Sequence, residues 1–262
     1  MDEHPRIIAH RGVARSYPEN TLAAFEAAVA AGADGIELDI QLTADGVPVV
    51  LHDPSLQRTT GVDGDVNRLT AAAVDALSAC EPARFGERFR GEPLPRLTRV
   101  AERLSAVPGL WVFIEVKPEV LRHHSAPATV QAVLAASEAL GDQRVIISFR
   151  DDVLQATRSQ ARAAVGWVIP RYGTAAIERA RALTPEFLFC HHKLLPAGMA
   201  RLPDGPWDWA IYEVDDASLA ERLCRRGVGW LESMCPGELR AAMSRAAGER
   251  AVSPSRQGRT PD

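Results

Sequence analysis

The stretch GIELDIQLTADGVPVVLHD, residues 35–53, decides how the chain is read. It holds two strand-like runs, GIELDIQL (35–42) and PVVLHD (48–53), joined by TADG (43–46), a tight-turn signal with no room for a helix. Elsewhere strand-like and helix-like runs alternate. RIIA (6–9) is followed by NTLAAFEAAVAAG (20–32), an amphipathic helix with Asn20 as its N-cap and Gly32 as its stop. WVFIEVK (111–117), RVIISF (144–149), AAVGWVI (163–169), FLFCHH (187–192), WDWAIYEV (207–214) and VGWLES (228–233) complete the strand-like runs, and LTRVAERLSA (97–106), PATVQAVLAASEALG (127–141) and DDVLQATRSQ (151–160) read as helices.

Repeated strand–helix units imply a parallel α/β sheet with helices outside, and this number of units favours a closed eight-stranded barrel over an open doubly wound sheet. The count is one strand-like run too many. One of the two runs flanking TADG is therefore an excursion of the barrel rim, or another run is not a strand. Residues 54–95 are irregular and read as an insertion after the third strand-like run. No linker divides the chain, so a single barrel is expected over 1–243. The segment 244–262, rich in Ala, Arg, Ser, Gly and Pro without apolar periodicity, reads as a disordered tail.

The formal net charge of -4 argues against a nucleic-acid partner, so any positive charge for an anionic ligand must be concentrated locally. No run approaches the roughly 18 apolar residues of a membrane helix. The acidic start MDEHPR lacks the regions of a signal peptide, and Cys80, Cys190, Cys224 and Cys235 form no CxxC pair. These features point to a cytoplasmic protein with reduced thiols.

Chemistry in a barrel collects at the carboxyl ends of its strands. Those ends carry, in order, His10 and Arg11, Glu37 and Asp39, His52 and Asp53, Glu115 and Lys117, then Ser148. Glu37 and Asp39 are two apart and share one strand face. Like charges on one face need a cation or protons between them, and with Glu115 they form an oxygen set suited to a hard divalent ion. The alternative is that they face outward or pair with Arg and Lys. His10 and His52 come from different runs and are suited to acid–base work; each is equally open to a structural role. Arg11 could clamp a phosphate as a planar fork and Lys117 as a point charge, or both could form salt bridges to Glu37 or Glu115. In YPENT (17–21), Pro18 and Asn20 set up the helix start and Glu19 favours its dipole.

AHRG, PENT, GIELDIQLTADGVPVVLHDPSLQRTT, FIEVKP and ISF, in that order, resemble the glycerophosphodiester phosphodiesterase family. The resemblance implies a TIM-type (β/α)8 barrel with a small insertion after the HD run. It implies hydrolysis of a glycerophosphodiester to glycerol 3-phosphate and an alcohol with a bound Mg²⁺ or Ca²⁺. By the same resemblance, His10 and His52 are the acid/base pair, Glu37, Asp39 and Glu115 hold the metal, and Arg11 and Lys117 hold the phosphate. Gly12 lets the backbone turn after the strand.

The family tends to show Trp-Thr-Val-Asn near the C-terminus and then Thr-Asp before a Pro. Here YEVDD (212–216) and GVGWLESMCP (227–236) stand instead, so Tyr212, Asp215 and Glu232 depart from the pattern. His191, His192 or Lys193 could touch a leaving group or lie in an exposed loop. Two other functions fit the same residues. One is a phospholipase D-like enzyme on lysophospholipids, with Trp207, Trp209, Tyr212 and Trp230 lining an acyl groove, though core packing explains these aromatics as well. The other is a non-catalytic phosphate-ligand binder.

Overall fold

The computed structural model describes residues 5–252. One sheet contains β1 (Arg6–His10), β2 (Gly35–Leu42), β3 (Pro48–Val50), β4 (Trp111–Val116), β5 (Arg144–Ser148), β6 (Ala164–Val168), β7 (Phe187–His191), β8 (Asp208–Tyr212) and β9 (Trp230–Ser233). All but β3 are parallel, and β1 pairs with β2 on one side and β9 on the other, which closes an eight-stranded barrel. The surplus run is β3. It folds back antiparallel on β2 as the short TADG turn dictates, with Leu42 opposite Pro48, and stays outside the ring.

Strand alternation assigns each residue to one of two cores. Ile7, Ala9, Ile36, Leu38, Ile40, Val112, Ile114 and Val116 face outward against the helices. Ile8, Phe113, Val145, Phe187, Phe189, Ala210 and Trp230 fill the barrel interior. Phe113 meets Phe187 and Trp230 edge-to-face at 5.0 and 5.5 Å, so the interior is a plugged core rather than a channel. The inward positions that follow these apolar layers are His10, Glu37, Asp39 and Glu115. The period of two that buries Ile8 and Phe113 thus aims the polar residues at the carboxyl end.

Trp207 and Trp209 are buried in the outer layer and Trp230 in the barrel interior. These three do not line an acyl groove, which corrects that expectation. The first helix runs Leu22–Ala30, and its cap is Thr21, whose hydroxyl accepts from the Ala24 N–H, rather than Asn20. Asn20 sits at φ 58 and has another use, described below.

The insertion after β3 contains short helical turns at Gln57–Thr60, Val66–Arg68, Ala71–Val74 and Pro82–Phe85. Leu51, Leu56, Val66, Val74, Ala79 and Leu94 close a separate small core beneath it. The last helix runs Pro236–Val252, so residues 244–252 are helical where a disordered tail was expected. Residues 253–262 of that tail lie outside the described residues.

Candidate active site

The carboxyl end of the barrel opens into a pocket of about 190 Å³ lined by His10, Arg11, Glu37, His52, Glu115 and Lys117 among others. These are six of the residues singled out from the sequence. Asp39, the seventh, lies just beneath, fully buried. The strand register explains the convergence, for His10 stands beside Glu37 across β1 and β2, and Asp39 beside Glu115 across β2 and β4.

After His10 the chain leaves the strand through Arg11 at φ 56 and Gly12 at φ 83. A Cβ on Gly12 would lie 2.6 Å from the Ala24 carbonyl carbon, so glycine is required here both by the left-handed backbone and by the close approach. This turn points the Arg11 guanidinium back into the site. Its Nε lies 3.0 Å from Asp39 Oδ2 and its Nη1 3.0 Å from Glu19 Oε1.

Asn20 orients the other side of Asp39. Its amide donates to Asp39 Oδ2 at 2.8 Å, and its carbonyl oxygen accepts from the Asp39 backbone N–H at 3.2 Å. Lys117 Nζ lies 3.0 Å from Asp39 Oδ1 and 3.2 Å from Glu115 Oε2. Burial opposes ionisation of Asp39, but Arg11 and Lys117 outweigh it and hold its carboxyl below the usual range. The salt bridge considered to Glu37 or Glu115 is thus realised between Lys117 and Glu115, while the main partner of both cations is Asp39.

Glu37 and Glu115 are less well served. Their Oε1 atoms are buried and without a hydrogen-bond partner among the described residues. Burial and neighbouring carboxylates push Glu37 well above its ordinary value, and burial pushes Glu115 up to about 7. Single oxygens of Glu37, Asp39 and Glu115 lie within 4.8 Å of one another. Two orphaned buried oxygens beside an ionised third are a donor set that fits a hard divalent cation.

His10 Nε2 is 3.4 Å from Glu232 Oε1 and 3.9 Å from Glu37 Oε2. Burial, with Arg11 beside it, lowers the His10 pKa to about 4, so the imidazole is neutral at pH 7. Glu232, at the end of β9, is pushed up to about 8 by burial and by Glu115 and Asp39.

His52 follows β3. Its Nδ1 lies 2.6 Å from Asp53 Oδ1, and Asp53 Oδ2 accepts from Arg58 Nε at 2.6 Å. Arg58 also donates to both oxygens of Glu19, at 2.8 and 2.7 Å. An unbroken chain of contacts therefore runs from His52 through Asp53, Arg58 and Glu19 to Arg11 and Asp39. The insertion supplies Arg58 and, through Glu81, accepts the Glu19 backbone N–H at 2.5 Å. Sequence reasoning gave Glu19 only a helix-dipole role and missed Arg58, since nothing local marks residues 39 positions apart as partners.

The remaining candidates divide. Ser148 donates to the Val116 carbonyl at 2.8 Å and serves the barrel wall. Asp215 accepts from Ser233 and the Met234 N–H and pairs with Arg15, which clamps the loop after β8 to the end of β9. Tyr212 and Glu232 line the pocket together with Glu213, whereas His191, His192 and Lys193 are not among its lining residues.

A family model for the glycerophosphoryl diester phosphodiesterase family matches residues 10–202. The chain belongs to that family. The match begins at His10 and ends before Tyr212, so the departures in the last two strand ends fall beyond it. A glycerophosphodiester phosphodiesterase of Caldanaerobacter subterraneus is 42% identical over 142 residues, 54% of this chain and 56% of that protein. Human glycerophosphodiester phosphodiesterase 1 is 36% identical over 156 residues, 59% of this chain and 46% of that one. The chain thus spans about half the length of the curated relatives it matches. Among solved structures, an Oleispira antarctica phosphodiesterase in complex with the product sn-glycerol-3-phosphate superposes with a TM-score of 0.80 at 27% identity, covering 92% of this chain and 97% of that one. A Silicibacter pomeroyi protein at 24% identity and a TM-score of 0.81 shares the fold.

Proposed function

We propose that this chain hydrolyses glycerophosphodiesters to glycerol 3-phosphate and an alcohol, with a divalent cation held by Glu37, Asp39 and Glu115. The observation that carries the reading is the meeting of Glu37 and Glu115 with Arg11, Lys117, His10 and His52 in one small pocket of a family member, with Asp39 buried against the same two acids. The bound product of the Oleispira phosphodiesterase supports it, as does the likeness to glycerophosphodiester phosphodiesterases of Caldanaerobacter and human.

When bound, Mg²⁺ or Ca²⁺ supplies Lewis-acid neutralisation of the phosphodiester anion. Arg11 and Lys117 add positive charge from the protein, and their ion pairs with Asp39 hold them in place. His10, neutral and next to the acids, takes the proton of the attacking oxygen. That oxygen is the neighbouring glycerol hydroxyl, giving a cyclic phosphate that water then opens, or a water molecule directly. Asp53 fixes the proton of His52 on Nδ1 and stabilises the ring when it is charged, which suits His52 to protonate the departing alcohol. On hydrolysis of the cyclic phosphate the two roles reverse.

The ligand is a small glycerophosphodiester rather than a nucleic acid or protein. No helix among the described residues is long and apolar enough to cross a membrane. All four cysteines are unpaired, which fits a reducing cytoplasm.

The test is release of glycerol 3-phosphate from glycerophosphocholine and glycerophosphoethanolamine with Mg²⁺ or Ca²⁺, and its loss with EDTA. His10→Ala and His52→Ala should each lower turnover by about 10²–10⁴-fold. Wild-type turnover in both variants would sink the assignment. Tight binding of glycerol 3-phosphate with no turnover in any metal would point to the binding role instead.

A further inference from the structure

We propose that Glu213 selects substrates whose leaving alcohol carries an ammonium group, an inference that rests on the phosphodiesterase reading above. The pocket has two unlike halves. His10, Arg11, Glu37, His52, Glu115, Lys117 and Glu232 crowd one side. The opposite wall comes from the ends of β5 to β8 and is Ile147, Phe149, Val168, Phe189 and Tyr212, with Glu213 as its only charged group. The charged half accounts for the phosphate. The apolar half must take one of the two groups esterified to it.

Glu213 is held in an unusual way. It sits at φ 60 immediately after β8, a left-handed backbone that a non-glycine residue seldom adopts. Its Oε2 lies 2.8 Å from His191 Nε2, and His191 Nδ1 accepts the Lys193 backbone N–H at 3.0 Å. The imidazole proton is therefore on Nε2, and a neutral ring suffices to hold the carboxylate. The Tyr212 and His191 rings meet edge-to-face at 5.1 Å and 88°.

No Lys or Arg among the described residues lies within ion-pair distance of Glu213, and Lys193 acts on it only at longer range. Burial opposes ionisation, but the His191 hydrogen bond and nearby positive charge hold the Glu213 carboxyl below the usual range. A wall of Phe149, Phe189 and Tyr212 with Ile147 and Val168, carrying one ionised carboxylate that is itself 40% exposed, suits an alkylated ammonium, which gains from apolar and aromatic contact and from the charge together. A neutral hydroxyl would gain little that an amide could not supply.

The experiment uses the metal-loaded enzyme and compares kcat/KM for glycerophosphocholine with that for the neutral-headed glycerophosphoglycerol. Glu213→Gln keeps an acceptor for His191 Nε2 and removes the charge. It should lower the choline-to-glycerol ratio by roughly three- to tenfold, mainly through KM. Glu213→Asp keeps the charge and tolerates a positive φ, so its ratio should stay near that of wild type. Binding of tetramethylammonium, read by calorimetry, should weaken in Glu213→Gln and persist in Glu213→Asp. An unchanged ratio, or equal losses on both substrates, would overturn the proposal and give Glu213 to the glycerol end. Absence of turnover on every glycerophosphodiester by the wild type would instead overturn the phosphodiesterase reading, with tetramethylammonium binding still reporting on Glu213.

Discussion

Arg11 Nε lies 3.0 Å from Asp39 Oδ2, so the residue that leaves β1 is locked to the middle of β2. The same guanidinium reaches Glu19 at 3.0 Å, and its side chain is only 18% exposed. A lysine keeps the charge but cannot present the separate Nε and Nη1 of a rigid plane to Asp39 and Glu19. Arg11→Lys should lower kcat/KM at least tenfold, in line with the loss of a charge-assisted fork. Arg11→Ala, which leaves Asp39 and Glu19 short of a partner, should also cost about 2–4 kcal/mol of stability. Steady-state kinetics and urea unfolding separate the two effects.

The acid cluster makes metal binding pH-dependent. In the metal-free protein Glu115 is pushed up to about 7 and Glu232 to about 8, while the ordinary value of a glutamate is 4.5. The folded chain therefore keeps protons that the unfolded chain has already released. This contribution to stability is full below about 4.5 and is lost as pH rises through 7 to 8. The metal-free melting temperature should accordingly fall across that window, and added Mg²⁺ or Ca²⁺ should reverse the fall. Metal affinity should rise over the same range with proton release, measurable by calorimetry in buffers of different ionisation enthalpy. Glu115→Gln should weaken binding and reduce the proton release.

Asp53 is the only carboxylate bonded to His52 among the described residues, at 2.6 Å, and is 34% exposed. Asp53→Asn should lower kcat by about 10²-fold or more by leaving the imidazole in the wrong tautomer. The melting temperature should move little, because the group is partly in water. A pH–rate profile with its acidic or basic limb displaced would identify the limb that His52 controls.

Gly12 combines φ 83 with a close approach to Ala24. Gly12→Ala should destabilise the fold by roughly 2–4 kcal/mol, since the strain and the backbone clash act together. Gly32, at φ 72 with open space where a Cβ would stand, should tolerate alanine better, at about 1 kcal/mol. Paired denaturant melts of the two variants check the difference.

Cys190 is fully buried, and burial pushes its thiol up to about 12. It should resist iodoacetamide at pH 8 in the native protein and react after denaturation, as mass mapping of the alkylated site would record.

The sequence by itself determined the barrel and most of the charged pocket. Strand alternation is local, so a run such as GIELDIQL states which residues share a face, and once Ile36, Leu38 and Ile40 are buried outward Glu37 and Asp39 can only point inward. The hairpin at TADG was legible too, because four residues leave no room for another link, but which run leaves the ring was decided only when β2 paired with β1 and β4 and left β3 outside. Tertiary structure alone decided the partners. Glu19 pairs with Arg58 across 39 positions, Asn20 serves Asp39 while Thr21 caps the helix, and Glu232 meets His10 only when β9 closes against β1. Propensity and spacing act within a few residues along the chain. Ring closure and the insertion bring together residues that no local pattern relates, and the energies of buried charges depend on which of them meet.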